Sequence, residues 1–169
     1  MTAVTPQFGT FLWFQRDAEQ AAEFYTTLFP DARITATTRW GAGGPGPAGS
    51  VMTVAFELGG QRFTAINGGP HYTLTGAVSI VVSCATQAEI DRYWAALTSG
   101  GGTAVQCGWA QDRFGLSWQV LPASLGALMS DPDPARAGRV GKALLAMQKI
   151  DLAALERAHR GEEPLEERR

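Results

Sequence analysis

The sequence predicts an α+β fold built from two βαβββ modules and a C-terminal helical extension. Three observations predict it: the order strand, helix, three strands occurs twice, the two halves align at an offset of 69 residues, and only helical patterns follow Pro122. We expect a single domain over residues 1–169. Module one should span about 7–68, module two about 76–122 and the C-terminal helices about 123–160.

The first module begins with an aromatic, β-prone run from Phe8 to Gln15. A helix with one apolar face follows and ends at Pro30. Gly59-Gly60 is a hairpin signal between the last two of three further strands, expected at 33–40, 50–58 and 61–67. The segment Gly41–Gly49 offers no large side chain to bury, so we expect a mobile loop there.

The second module repeats this order. A strand over Ala77–Ser83 precedes a helix in which Ile90, Tyr93, Trp94 and Leu97 recur at helical spacing, and Ser99–Gly102 ends that helix. Short strands are expected at 103–107, 109–112 and 116–121. Chance similarity between two amphipathic helices would explain part of the match, but several strand residues also align. At the offset of 69, Phe11 aligns with Ile80 and Trp13 with Val82. At the module ends, segment 62–65 lines up with 117–120.

The pattern of the last part of the chain predicts helices. Asp133-Pro134 has the form of an N-cap followed by a first-turn proline, and Asp151 is a second N-cap candidate. An apolar stripe must cover either the outer face of a sheet or a partner subunit; it consists of Ala137, Val140, Leu144 and Met147. The charged tail from Glu156 to Arg169 is expected to fray beyond the last helix.

Composition excludes several functional classes. The net charge of −2, from 14 basic and 16 acidic residues, argues against a nucleic-acid or membrane partner. Apolar runs such as Val78–Val82 are shorter than the ~20 residues of a membrane span, and the start MTAVTPQFGT does not resemble a secretory signal. Cys84 and Cys107 are too few for a disulfide scaffold, so we expect reduced thiols in a cytoplasmic protein.

Four segments resemble the PhnB-like branch of the vicinal oxygen chelate superfamily, which contains glyoxalases and bleomycin-resistance proteins. They read AEQAAEFYTTLFPDARI, FELGGQRFTAINGGP, AEIDRYWAALTSGG and CGWAQDRFGLSWQVLP. The similarity covers about Phe8 to Asp151, and RFTAINGGP and DRFGLSWQV are specific to this branch. It implies the glyoxalase/bleomycin-resistance fold, with paired βαβββ modules forming a cup, and a homodimer. It does not imply one reaction, because the superfamily includes isomerases, dioxygenases, thiol transferases and drug-binding proteins.

Metal enzymes of this superfamily carry their ligands on the first and last strand of each module. Carried over to this chain, those positions are Thr10, Thr64, Ser79 and Gln119. Hydroxyl and amide oxygens alone hold transition-metal ions poorly. We therefore expect no metal and no other cofactor.

Few other residues offer catalytic chemistry. His71 could enter the cup as an acid–base group or be a loop histidine bonded to backbone, and His159 should be solvated. Cys84 precedes a helix start, as a reactive thiol might, although a small buried hydrophobe is the preferred interpretation. We expect Asp17 to cap the first helix and Asp112 to set a tight turn.

The label "3-demethylubiquinone-9 3-methyltransferase", common in this branch, finds no support in the residues. Common S-adenosylmethionine enzymes place a glycine-rich loop between a strand and the helix that it opens. The glycine-rich segment Gly41–Gly49 instead lies between two β runs.

Strand alternation then predicts an aromatic cup. If Thr10 and Gln119 face it, then Leu12, Phe14 and Ser117 do so too. Phe11, Trp13 and Trp118 should instead pack under the helices. The predicted lining is Thr10, Leu12, Phe14, Thr64, Asn67, His71, Ser79, Trp109, Ser117 and Gln119.

An apolar concavity with a few hydroxyls and amides suits a neutral organic molecule. We therefore expect a metal-free protein that binds a small molecule. The alternative is a PhnB-like enzyme of lyase, isomerase or dioxygenase type acting on a small organic substrate. The residues do not decide whether the chain is an enzyme.

Overall fold

A computed structural model describes residues 8–162 and shows two compact units. The first unit ends at Leu74 and the second begins at Thr75. Each unit contains one βαβββ module with a four-stranded mixed sheet, and three helices follow the second sheet. The predicted α+β class, the two modules and the C-terminal helical extension are therefore confirmed.

The first unit contains one helix and four strands. They are β1 (Thr10–Phe14), α1 (Ala18–Leu28), β2 (Arg33–Arg39), β3 (Val51–Leu58) and β4 (Gln61–Asn67). The strand order is β1-β4-β3-β2; β1 and β4 run parallel, and the other neighbours run antiparallel. The first and last strands of the module therefore lie side by side, and their ends meet at the same edge of the sheet.

Helix α1 covers one face of this sheet. Its buried residues are Ala18, Ala21, Ala22 and Tyr25. The Tyr25 ring lies 6.0 Å from that of Phe56, which stacks on Phe63 at 5.2 Å. Three alanines on the buried face let the helix approach the sheet closely, while the aromatic rings fill the core.

The second unit repeats the arrangement. Its module contains β5 (Ser79–Cys84), α2 (Gln87–Thr98), β6 (Thr103–Ala104), β7 (Trp109–Gln111) and β8 (Ser117–Pro122), with strand order β5-β8-β7-β6. Helix α2 buries the four apolar residues predicted from its spacing. Strand β6 ends three residues earlier than expected, because the N–H groups of Cys107 and Gly108 donate to Met147 and Gln148 instead of continuing the ladder.

Asp112 organises the turn between β7 and β8, as predicted. One carboxylate oxygen accepts from the N–H groups of Phe114 (2.8 Å) and Leu116 (3.1 Å). The other accepts from the indole N–H of Trp118 at 2.7 Å. The carboxylate is buried, so these charge-assisted hydrogen bonds replace its lost hydration.

The C-terminal helices are α3 (Leu125–Met129), α4 (Pro134–Leu145) and α5 (Leu152–Arg160). Both predicted N-caps form: Asp133 accepts from Ala135 N–H at 2.9 Å and Asp151 from Ala154 N–H at 2.8 Å. Among residues 8–162, no helix combines the length and hydropathy that a membrane span requires.

Helix α5 continues past Glu156 to Arg160, and Arg139 donates to the terminal carbonyls of Ala158 (2.8 Å) and His159 (2.9 Å). The expectation that His159 is solvated was wrong: its side chain is 21% exposed, and its Nε2 lies 2.7 Å from Asp131 Oδ2. The Asp133 N–H and His159 hold the pKa of Asp131 below its usual value. Residues 163–169 of the tail lie outside the described residues.

The turn at Asp112 yields a stability prediction. Replacing Asp112 by Ala should lower the free energy of unfolding by roughly 2–4 kcal/mol, because three donors lose their acceptor in a buried site. Urea denaturation would measure the loss. The control is Asp91→Ala, which removes an exposed carboxylate paired with Lys149 and should cost much less. Equal losses in the two variants would contradict the assigned role.

Candidate functional site

The first unit contains a cleft of about 900 Å³ where β1 and β4 end. This volume falls in the range of small-molecule sites. Residues from β1, β2, β4 and their following loops line it, among them Trp13, Arg16, Arg39, Trp40, Asn67 and His71. Two predicted lining residues, Asn67 and His71, are therefore brought together in this cleft.

Asn67 joins three elements at the floor of the cleft. Its Oδ1 accepts from the N–H of Ala18 at 2.9 Å, and its Nδ2 donates to the carbonyl of Val51 at 3.0 Å. The end of β4 is thereby tied to the starts of α1 and β3. Asp17 occupies the predicted N-cap position of α1, but its side chain makes no capping hydrogen bond. Asn67 supplies that bond from a distant position in the sequence.

The two glycines after Asn67 hold Trp13 in the cleft. The N–H groups of Gly68 and Gly69 donate to Phe14 (2.9 Å) and Gln15 (3.2 Å), which extends the β1–β4 ladder. The indole N–H of Trp13 donates to the Gly69 carbonyl at 3.0 Å. A Cβ at Gly68 would overlap the Trp13 ring, so only glycine permits this packing. The Trp13 ring is therefore fixed before any ligand arrives.

Trp40 is held in a similar way by the glycine-rich segment Gly41–Gly49. Its backbone pairs with Ser50 (2.9 Å) and Gly49 (2.8 Å), which closes the loop. A Cβ at Gly46 would overlap the Trp40 indole. We expected a mobile loop with nothing to bury; in the structure the glycines allow the backbone to pack on an aromatic ring.

The predicted orientation of β1 was wrong. Leu12 and Phe14 are buried and alternate with Phe11, which is 61% exposed. Leu12 pairs with Ala65, on the sheet face that packs against α1. Thr10, Leu12 and Phe14 therefore point towards the helix, whereas Phe11 and Trp13 point to the opposite, open face.

The error arises because the loop between the first strand and the helix is one residue longer in the first module than in the second. Residues 15–17 join β1 to α1, but only 85–86 join β5 to α2. An offset of 69 aligns the helices, whereas the first strands require 70. A one-residue slip moves every side chain to the other face of a strand. Phe11 therefore corresponds to Val81, because these two residues pair with Thr64 and Gln119 respectively.

In the second unit, four predicted lining residues share one sheet face. Ser79 pairs with Ser117, and Gln119 pairs with Trp109 on the neighbouring strand. Gln119 Nε2 donates to Ser79 Oγ at 2.8 Å. Trp118 lies on the opposite face, packed under α2 as predicted. Ser117 is buried on this face, whereas Val81 is 56% exposed. The face combines one indole with hydroxyl and amide groups.

The strand positions that carry metal ligands in related enzymes do not fit a transition metal here. After the corrected alignment, the first-strand positions are Phe11 and Val81, which have no donor atom, and the last-strand positions are Thr64 and Gln119. Within residues 8–162, no group of three or more His, Cys, Asp or Glu side chains could hold a metal ion. Neutral oxygens alone are poor ligands for such ions.

Cys84 lacks the properties of a nucleophile. Its side chain is buried at the end of β5, and this burial raises the pKa of the thiol to about 11, with a smaller contribution from Glu89. Near neutral pH the group stays a protonated thiol, which is a poor nucleophile. The structure thus supports the interpretation of Cys84 as a small core residue.

Comparison with known proteins places these features in a family. A family model described as 3-demethylubiquinone-9 3-methyltransferase matches residues 6–121. The PhnB protein of Bacillus cereus, assigned provisionally as a 3-demethylubiquinone-9 3-methyltransferase, is 35% identical, with 70% of this chain and 100% of that chain covered and a TM-score of 0.64. Protein PA1353 of Pseudomonas aeruginosa is 23% identical, with coverage of 70% and 98% and a TM-score of 0.58. No curated protein matches the chain.

The packing of Trp13 on Gly68 predicts a selective effect of substitution. Gly68→Ala should lower the free energy of unfolding by about 1–3 kcal/mol, because the new methyl group displaces the indole. Near-ultraviolet circular dichroism and urea denaturation would detect the change. Gly138→Ala in α4 meets open space and should be neutral or slightly stabilising. A Gly68→Ala variant as stable as Gly138→Ala would refute the packing argument.

Proposed function

The chain belongs to the family described as 3-demethylubiquinone-9 3-methyltransferase, within the PhnB-like branch of the vicinal oxygen chelate superfamily, and we propose that it binds a small organic molecule without a metal ion. The observation that carries this proposal is the cleft of the first unit, with Trp13 and Trp40 on its walls. Both indoles are packed against glycine backbone. Such fixed rings favour binding, because little side-chain freedom is lost when a ligand stacks on them.

The chemistry of the two open surfaces suggests the kind of ligand. In the first unit, indole rings with Ile66 and Val51 offer an apolar wall for a planar group. In the second unit, the face with Trp109, Ser79 and Gln119 is a separate candidate surface. The neutral ligand expected from the sequence fits that second surface, where the side chains offer hydroxyl and amide groups but no charge.

We do not propose methyl transfer, in spite of the family description. The glycine-rich segment Gly41–Gly49 joins β2 to β3, opens no helix and packs on Trp40. It therefore lacks the arrangement that binds S-adenosylmethionine in the common methyltransferases.

The alternative function is a PhnB-like enzyme of lyase, isomerase or dioxygenase type. His71 favours it, since this side chain lines the cleft and makes no hydrogen bond within the described residues. A histidine in such a position could transfer a proton to or from a bound substrate. Conversion of a bound compound that His71→Gln abolishes without weakening binding would distinguish the enzyme from a binding protein.

We further propose a homodimer. The apolar stripe on α4 no longer supports it, because Val140 is fully buried within its own unit. The support is instead the exposure of apolar residues on the sheet faces, where Phe11 is 61% and Val81 is 56% exposed. Every residue of β2 is exposed as well. Burial of such surface is the main favourable term in most protein association. Sedimentation of an 18 kDa species at micromolar concentration would argue against a dimer.

The binding proposal predicts a ligand-dependent rise in melting temperature that does not depend on metal. In a screen of aromatic and aliphatic small molecules, some compounds should raise the melting temperature, and EDTA should leave that rise unchanged. Trp13→Leu should weaken their binding about tenfold, because a stacking surface is lost. Phe8→Leu is the control, because it changes an exposed aromatic side chain of the same unit that does not line the cleft. One equivalent of transition metal per chain, lost together with binding on Gln119→Ala, would contradict the proposal.

A further inference from the structure

The arginines of the first unit fall into two pairs with different surroundings. Arg33 and Arg62 both lie beside the carboxylate of Glu57, at 2.5 and 3.7 Å. Arg16 and Arg39 line the cleft, and neither forms an ion pair with any described residue. Arg39 Nη1 donates to the carbonyl of Gly49 at 3.0 Å, which orients the guanidinium at the rim. The two arginines of this unit that form no ion pair with a described residue therefore both lie at the cleft.

The rest of the lining adds to this positive character. Glu19 is the one acidic side chain among the lining residues, against two guanidinium groups. Helix α1 begins at Ala18, and its first turn contributes Glu19 and Gln20 to the same wall. The positive end of the helix dipole consequently lies at the cleft as well.

We propose that this cleft selects planar organic anions, in particular aromatic carboxylates. The ring would lie against Trp13 and Trp40, and the carboxylate would accept hydrogen bonds from Arg16 and Arg39. A guanidinium group presents paired N–H donors that match the two oxygens of a carboxylate, and its charge strengthens these bonds. This ligand class depends on the small-molecule binding proposed above and replaces the neutral ligand for this unit.

A neutral ligand fits the cleft less well for a physical reason. Covering Arg16 and Arg39 with an uncharged molecule would remove water from two cations without supplying a counter-charge. An anion replaces that lost hydration. The same two residues should therefore increase the affinity for carboxylates and contribute little to the affinity for neutral analogues.

Matched ligand pairs test the proposal with the full-length protein. The probes are benzoate, 2-naphthoate and indole-3-carboxylate, each compared with its carboxamide by isothermal titration calorimetry. The best carboxylate should bind at least about tenfold more tightly than its carboxamide. Arg16→Gln and Arg39→Gln should each remove most of that difference and leave the carboxamide affinity unchanged.

Arg33→Gln is the control, since Arg33 lies on β2 with Arg39 but pairs with Glu57 outside the cleft. Arg16 makes no hydrogen bond within the described residues, so its replacement should leave folding intact, and unchanged melting temperatures would verify this. Carboxylate and carboxamide affinities that are equal, yet both lowered by Trp13→Leu, would refute the anion preference and keep the binding proposal. Equal sensitivity to Arg33→Gln would also refute it. Failure of every probe to bind would overturn both proposals.

Discussion

The side-chain amide of Asn67 is the interaction on which the first unit depends. It accepts from the first N–H of α1 and donates to the first carbonyl of β3, so one residue fixes the relative positions of three elements. Either backbone group, if buried without a partner, would cost about 1–3 kcal/mol. Gly68 and Gly69 continue from this point and place Trp13 on the wall of the cleft. The candidate site is thus a direct consequence of how the sheet and helix are joined.

Local sequence patterns predicted the elements well because their causes are local. Helical spacing identified the buried face of α2, and Asp133 and Asp151 cap their helices from adjacent positions. The failures have non-local causes. Asn67 caps α1 across 49 residues, which no spacing rule detects. The faces of β1 were exchanged because a loop differs by one residue between the modules, and strand alternation converts that difference into a complete reversal.

The same distinction holds for the site. Asn67 and His71, which were predicted to line a cup, lie in this cleft, whereas the sequence did not point to Trp13, Trp40 or the two arginines that form no ion pair within residues 8–162. The sequence did contain a signal for these two tryptophans, namely the glycines that lie beside their rings in the fold. Glycine was interpreted as flexibility in Gly41–Gly49, but at Gly46 it permits contact with an indole. Within residues 8–162, neither Arg16 nor Arg39 has a carboxylate partner, and this is visible only once the fold shows that Glu57 pairs with the other two arginines.

Ligands are expected to bind at the tryptophans of the first unit. The tryptophans of the chain lie at the cleft, on the sheet face of the second unit and in the core, so they can report where a ligand binds. They are Trp13, Trp40, Trp94, Trp109 and Trp118. Fluorine NMR of protein labelled with 5-fluorotryptophan, assigned by single Trp→Phe variants, would follow all of them during titration with 2-naphthoate. We expect shifts for Trp13 and Trp40 and unchanged signals for Trp94, on the buried face of α2, and for Trp118, which is buried on β8. Shifts confined to Trp109, with Trp13 unaffected, would contradict this expectation.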